Sequence, residues 1–325
     1  MGNNKQINEN VLQGNGRFVQ LAPHIRSKDT VTNIMRDVII ALIPAILGSI
    51  YFFGMGVIGI YLTSIIFCVA SEYIFQRATK KEVQIKDLSA VVTGILLAMN
   101  VPANTPFWMV AGGSIFAMVF VKECFGGIGG NFVNPALAAR AMLMASWPDL
   151  MTNYSPPGGL VDGVAYATPL SIIKDGSNLD ALPSLSQMFI GDVGGVIGET
   201  SAILLLVGAL YLVVRKVIDW KVPLIYIVVT AVMLPILGLP TDLIAYEILG
   251  GGLILGACFM ATDYSSTPAT QKGKIIFAVG CGILTAIMRI HGNMAEGVSY
   301  SILLMNVATP VIDRFTKTKA YGEAD

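Results

Sequence analysis

DVIIALIPAILGSIYFFG, residues 37–54, decides the fold class. Asp37 opens the stretch, and no charge follows before Gly54. Uncharged apolar runs of about 18 residues or more read as membrane-crossing helices. A second run, VIGIYLTSIIFCVASEYIF at 57–75, follows almost at once. Working outward, further apolar segments occupy 88–100, 107–122, 132–147, 194–214, 222–238, 244–261, 274–290 and 296–313. Bulk composition agrees: 54% of the 325 residues are hydrophobic and 13% charged, against about a quarter charged in soluble domains. The expectation is an all-α polytopic membrane protein with about ten transmembrane helices. The third segment runs into Asn100, Pro102, Asn104 and Pro106, which predicts a broken helix. Irregular backbone at membrane depth survives only where protein or a water-filled cavity surrounds it.

Basic residues give the orientation. Lys5, Arg17, Arg26, Lys28 and Arg36 precede the first span. Arg77, Lys80, Lys81 and Lys86 follow the second, and Arg215, Lys216 and Lys221 the sixth. Lys272 and Lys274 follow the eighth, and Arg314, Lys317 and Lys319 the tenth. The connection 148–193 has one base, Lys174, against Asp149, Asp162, Asp175, Asp180 and Asp192. Ten spans put all the basic segments on one side and this acidic loop on the other. The predicted layout is a cytoplasmic arm at 1–36, five helices over 37–147, an extracytoplasmic loop at 148–193, five helices over 194–313 and a cytoplasmic tail at 314–325. The first ~35 residues lack the apolar core of a cleavable signal, so the first span is expected to direct insertion.

A repeat supports the division. Thr105-Pro106 recurs as Thr267-Pro268 and Gly130-Asn131 as Gly292-Asn293, with Gly94/Gly256 and Ile128/Ile290, all at an offset of 162. Five spans separate the copies, an odd number, so the halves are expected to be two inverted five-helix repeats. Transporters use that architecture, with broken helices meeting near the midplane.

Several chemistries are disfavoured. Lys+Arg and Asp+Glu both number 21, so no net charge argues for nucleic acid. Cys68, Cys124, Cys258 and Cys281 form no C-x-x-C pair, which disfavours a zinc or iron–sulfur site made by this chain alone. His24 and His291 are the only histidines, and no metal is expected.

Three features remain as candidates. The acidic loop contains Asp162-Gly163-Val164-Ala165-Tyr166-Ala167-Thr168-Pro169-Leu170, a turn-rich run with one hydroxyl beside a proline. Gly126-Gly127-Ile128-Gly129-Gly130-Asn131-Phe132-Val133-Asn134-Pro135 leads toward Arg140. It is either a packing joint between helices or a close backbone approach to a ligand, with Asn131, Asn134 and Arg140 as contacts. Glu72, Lys122, Glu123, Glu247, Arg289 and His291 lie in or beside the spans. Glu199, Asp263 and Glu296, in glycine- or threonine-bearing settings, suit coupling to Na⁺ or H⁺. Their alternative is structural pairing with Arg140 or Arg289.

Taken together, the chain resembles the D-type membrane component of the Rnf complex, the membrane-bound ferredoxin:NAD⁺ oxidoreductase. That family is similar to the B-type component of the Na⁺-translocating NADH:quinone reductase. The resemblance rests on Ala22-Pro23-His24-Ile25-Arg26, Gly127-Ile128-Gly129-Gly130-Asn131 with Asn134-Pro135-Ala136, and Ser146-Trp147-Pro148. It continues through Ile197-Gly198-Glu199-Thr200-Ser201, Phe259-Met260-Ala261-Thr262-Asp263 and Glu296-Gly297-Val298-Ser299-Tyr300.

The resemblance implies a urea-transporter-like helical fold and an FMN that a flavin transferase joins through its phosphate to a threonine. The family pattern is Asp, two variable residues, Ser or Thr, Gly, Ala and Thr. Asp162, Ala167 and Thr168 match it, while Ala165 and Tyr166 depart; Thr168 is the implied acceptor. A second, non-covalent riboflavin is implied by the quinone-reductase likeness. Implied partners are the other Rnf-type components: flavin-bearing RnfG, membrane-embedded RnfA and RnfE, and soluble RnfC and RnfB. The implied location is a bacterial or archaeal-type cytoplasmic membrane. The complex would couple electron transfer between ferredoxin and NAD⁺ to Na⁺ or H⁺ translocation, and this chain alone would not be active. The competing expectation is a solute channel or secondary transporter without a redox role.

Overall fold

The computed structural model describes residues 30–158, 166–176, 179–199, 201–292 and 296–316. His24, Asp162 to Ala165, Thr200, Asn293 and the tail from 317 fall outside them. Among the described residues there is no strand, only isolated bridges between Pro102 and Val196 and between Ser155 and Gly195. The first five major helices are α1 (Val31–Phe53), α2 (Gly56–Ala78), α3 (Ser89–Met99), α4 (Phe107–Phe125) and α5 (Pro135–Ser146). Three short helices follow: α6 (Pro148–Met151), α7 (Pro169–Asp175) and α8 (Leu185–Ile190). The second set is α9 (Ala202–Val214), α10 (Lys221–Ile236), α11 (Thr241–Leu249), α12 (Leu253–Met260), α13 (Gln271–His291) and α14 (Val298–Thr316).

Helices α1, α2, α4 and α13 are long and apolar enough to cross a membrane. The pair α11–α12, bent by 60°, makes a fifth span if counted as one broken helix. The expected all-helical, multi-spanning class therefore holds. Helix α1 shows why lipid is the solvent. It buries Ala41, Leu42, Ala45, Gly48 and Ser49 while exposing Ile40, Ile43, Leu47 and Tyr51. Apart from Leu42 and Phe53, the residues facing the protein are small or polar, while large apolar ones face out, at helical spacing on both faces. Membrane helices pack that way because lipid tails accept the apolar stripe and small residues let backbones approach. The same close approach recurs where α3 crosses α2: a Cβ on Gly94 would sit 2.9 Å from Ile65 Cα.

Helix α3 has 11 residues and is buried along nearly its whole length. At 1.5 Å per residue it spans roughly 16 Å, about half a bilayer core. Its last carbonyls need partners. Asn100 Nδ2 donates to Leu96 O (2.6 Å), Gly198 N to Met99 O (2.8 Å) and Ile197 N to Val101 O (3.1 Å). Residues 196–198 are therefore committed to capping α3, and the sixth segment, expected at 194–214, becomes helical only at Ala202. The eighth, expected as continuous over 244–261, is interrupted at Gly250-Gly251-Gly252. There φ is +64° at Gly251 and +66° at Gly252, a conformation glycine adopts without strain. The fifth begins at Pro135 instead of 132 because Asn134 caps it.

Helix α2 packs on α3 and α4, α10 on α12 and α13, α1 on α9, and α5 on α14. Buried hydroxyls join both sets. Ser64 Oγ donates to Gly94 O (2.8 Å) and meets Ser114 Oγ (3.2 Å), while Tyr226 OH meets Thr285 Oγ1 (2.7 Å) and Ser301 Oγ (2.9 Å). The connections gather at two ends. At one, Arg215 pairs with Asp37 (3.1 Å), Lys81 with Glu123 (3.7 Å), and Ser265 Oγ donates to Asn131 Oδ1 (2.6 Å). At the other, Gly158 N donates to Phe52 O (2.9 Å) and Lys174 Nζ to Gly292 O.

Candidate functional site

Thr168 is the N-cap of α7, and Pro169 takes the first helical position, where its missing N–H costs nothing. Thr168 Oγ1 accepts from Ser171 N at 3.3 Å, and Ser171 Oγ donates to Thr168 O at 2.7 Å. Gly176, at φ +65°, ends the helix. The side chain of Leu170 fills the break between α11 and α12, for a Cβ on Gly250 or Gly251 would strike it. Thr168 thus sits on a short, capped and anchored helix.

Thr168 lines a cavity of about 630 Å³ with Arg140, Met144, Tyr154, Glu296 and Tyr300, within the ~300–1,000 Å³ range of small-molecule sites. Arg140 projects from α5 into a buried ionic cluster. Its Nη1 donates to Asn100 Oδ1 (2.8 Å) and Glu199 Oε1 (3.1 Å), and its Nη2 to Glu296 Oε2. Tyr154 OH donates to Glu296 Oε1 at 3.1 Å. Burial, then the Glu296 charge, push the Tyr154 phenol above its usual range, so it remains a donor. One guanidinium therefore serves two carboxylates, and the site keeps one uncompensated negative charge if both are ionised. Beside the cavity, burial draws the Lys174 ammonium below the usual lysine range.

Asn131, Asn134 and Asp263 lie elsewhere. Asn134 Oδ1 accepts from Ala136 N (3.0 Å) and Leu137 N (3.3 Å), capping the start of α5. Asn131 Nδ2 donates to Val133 O (3.0 Å), and Asp263 accepts from Ser266 Oγ (2.8 Å). All three border a second cleft of about 100 Å³. Along α5 the cleft is lined by Pro135 and Ala136 and the Thr168 cavity by Arg140, Ala141 and Met144, so their walls on that helix are about one turn apart. Of the three expected flavin contacts, only Arg140 borders Thr168.

The other ionisable residues near the spans are mostly paired. Lys122 Nζ lies 2.5 Å from Glu72 Oε1, and Gln76 Nε2 donates to Glu123 Oε1 (2.9 Å). Arg289 reaches Glu247 Oε2 (2.9 Å), Gly250 O (3.1 Å) and Gly251 O (3.3 Å), satisfying carbonyls the α11–α12 break leaves open. The structural alternative for Glu199 and Glu296 is thus realised through Arg140. Sequence reading missed Asn100 and Tyr154 as partners of this cluster. Asn100 stood in the polar run that ends α3, while nothing in the sequence singled out Tyr154.

The NQR2, RnfD, RnfE family model matches residues 18–322, almost the entire chain. The chain belongs to the NQR2, RnfD, RnfE family. Among curated members, the D component of the Na⁺-translocating ferredoxin:NAD⁺ oxidoreductase complex of Acetobacterium woodii is 49% identical, covering 94% of this chain and 95% of that protein. The D component of the proton-translocating ferredoxin:NAD⁺ oxidoreductase complex of Clostridium ljungdahlii is 40% identical over 98% of both chains. The D component of the ion-translocating oxidoreductase complex of Stutzerimonas stutzeri is 33% identical, covering 91% of this chain and 93% of that protein. The expected resemblance is thereby confirmed. The first two of these family members are named for different ions, so membership does not itself fix Na⁺ or H⁺.

Proposed function

We propose that this chain is the flavin-carrying membrane component of an Rnf-type complex in which electron transfer between ferredoxin and NAD⁺ drives Na⁺ or H⁺ across the membrane. The names of its relatives support the complex and the reaction. The observation that carries the flavin is the placement of Thr168, a capped hydroxyl on the wall of a cavity large enough for FMN. In this reading Thr168 Oγ1 gives up its proton and forms a bond to the flavin phosphorus, while a flavin transferase breaks the bond from that phosphorus to the nucleotide of a flavin dinucleotide donor, which leaves as the nucleoside monophosphate. Thr168 Oγ1 can still accept from Ser171 N–H afterwards. When bound, FMN would supply one- or two-electron transfer. Tyr154, Tyr300 and Met144 would line its surroundings, and Arg140 would hold Glu296 at the cavity wall. The cleft at Asn131, Asn134 and Asp263, at about 100 Å³, falls below the ~300 Å³ lower bound of small-molecule sites, so it lends no support to the second, non-covalent riboflavin. Co-expression with a transferase is expected to add the mass of one FMN, less water, and to give a band fluorescent under ultraviolet light on a denaturing gel. A dark band of unmodified mass would favour the solute channel.

The uncompensated charge at Arg140 supports ion coupling at Glu199 and Glu296, since a proton or Na⁺ would offset it. Asp263 has only serine and backbone partners to hold it among the described residues, and it would act separately, from the opposite end.

We also infer ten spans in two inverted halves, with both termini cytoplasmic and the Thr168 cavity outside. Corresponding packing supports this: α2 on α3 and α4 in one half, α10 on α12 and α13 in the other. So does the position of Arg215, Lys216 and Lys274 at the end remote from Thr168. Cys124 is exposed at that basic end, and Asn153 is exposed near the cavity. An impermeant maleimide on intact cells is expected to label Asn153→Cys, and to reach Cys124 only after permeabilisation. The opposite pattern would invert the topology.

A further inference from the structure

We propose that a cavity at the basic end, remote from Thr168, binds the phosphate headgroup of an anionic membrane phospholipid. The cavity measures about 670 Å³ and opens between the α9–α10 connection and the stretch that leads into α13. Lys216, Trp220, Tyr264 and Lys274 stand on its wall.

Lys216 is held in an unusual backbone state. Its φ is +59°, its N–H donates to Val213 O (3.0 Å), and Val217 N–H donates to Leu212 O (2.9 Å). This double closure of a helix end normally falls to glycine. A lysine in its place puts a long cationic arm at the cavity mouth, at some backbone cost. The neighbouring Arg215 already pairs with Asp37. Lys216 and Lys274 form no ion pair among the described residues. Asp219, on the same wall, uses Oδ1 to accept from Lys221 N (3.1 Å). Two ammonium groups against one carboxylate leave the cavity positive.

The surroundings select an amphiphile over a soluble anion. Trp220 and Tyr264 are 54% and 56% exposed, and such aromatics settle at membrane interfaces. Below the mouth, α9 exposes Val207, Leu210 and Val214 on one face, and α10 exposes Leu224 and Val228. Two apolar rows therefore descend from a basic cavity rimmed by aromatics, so headgroup and acyl chains both have a place. Basic pockets between transmembrane helices bind anionic headgroups in this way.

The test uses the purified full-length chain in a neutral detergent and native mass spectrometry. Phosphatidylglycerol is expected to be retained roughly tenfold or more over phosphatidylcholine of equal chain length, the scale of two lysines near an anionic surface. Lys216→Gly with Lys274→Gln is expected to abolish the preference while helical circular dichroism is unchanged, because glycine relieves the left-handed position. Equal retention of the two lipids, or a preference that survives both substitutions, would overturn the proposal. Displacement by millimolar inorganic phosphate would overturn it in favour of a soluble phosphate ligand. Unchanged lipid binding with loss of a co-purifying protein would mark the cavity as a protein contact instead. Thr168 lies at the other end, so none of these outcomes depends on whether it carries flavin.

Discussion

Thr168→Val is expected to yield a folded chain without covalent flavin. Valine nearly matches threonine in shape and removes only the hydroxyl. The structural loss is the 3.3 Å bond from Ser171 N to Oγ1, and such caps contribute about 1 kcal/mol. A chain with its core among the long helices tolerates that loss in a seven-residue helix. Chemically, no oxygen remains to form the phosphoester, so fluorescence on a denaturing gel and the added mass should vanish together. Thr168→Ser keeps both oxygen and cap and is expected to restore modification. Ser171 provides the internal check, since its hydroxyl borders the same cavity. A valine variant that still carries one FMN would move the attachment to Ser171 or beyond and reject Thr168.

Arg140→Met is expected to be among the most damaging single changes in the molecule. It leaves Glu199 and Glu296 facing each other in a buried site, without the guanidinium that also binds Asn100. Removing one member of a buried ion pair costs about 3–5 kcal/mol. The expected result is a much lower melting temperature in detergent, or loss of the folded chain. Adding Glu199→Gln and Glu296→Gln should recover much of the loss, because the stranded charges disappear; the mutational cycle measures the coupling directly. Glu296→Gln alone removes the surplus charge and should shift the flavin potential in a redox titration. An unchanged potential would separate the cluster from the redox reaction and leave it a structural role.

The sequence announced its helices more clearly than their ends. Apolar runs at 37–54 and 57–75 are visible because lipid demands them. The late start of α9 was hidden, since Val196, Ile197 and Gly198 are as apolar as a helix; only the open carbonyls at the end of α3 explain why they turn there instead of starting the helix. The break in α11–α12 had a visible mark in three successive glycines, but glycine is also common in intact membrane helices. At the site, Thr168 stood out through family resemblance alone, for the loop carries no chemical signature of its own. The division between Asn134 and Arg140 could not be read from spacing. Asn134 caps α5 and Arg140 lies within it, and only the arrangement of other helices around its two ends assigns them to different cavities.

Leu170 sits two residues beyond Thr168 and plugs the gap at Gly250 and Gly251. Thr168 and the hinge of a broken helix are thereby one mechanical part. A rocking of α11 against α12 would carry α7 with it, and so move the Thr168 hydroxyl relative to Arg140 and Glu296 across the cavity.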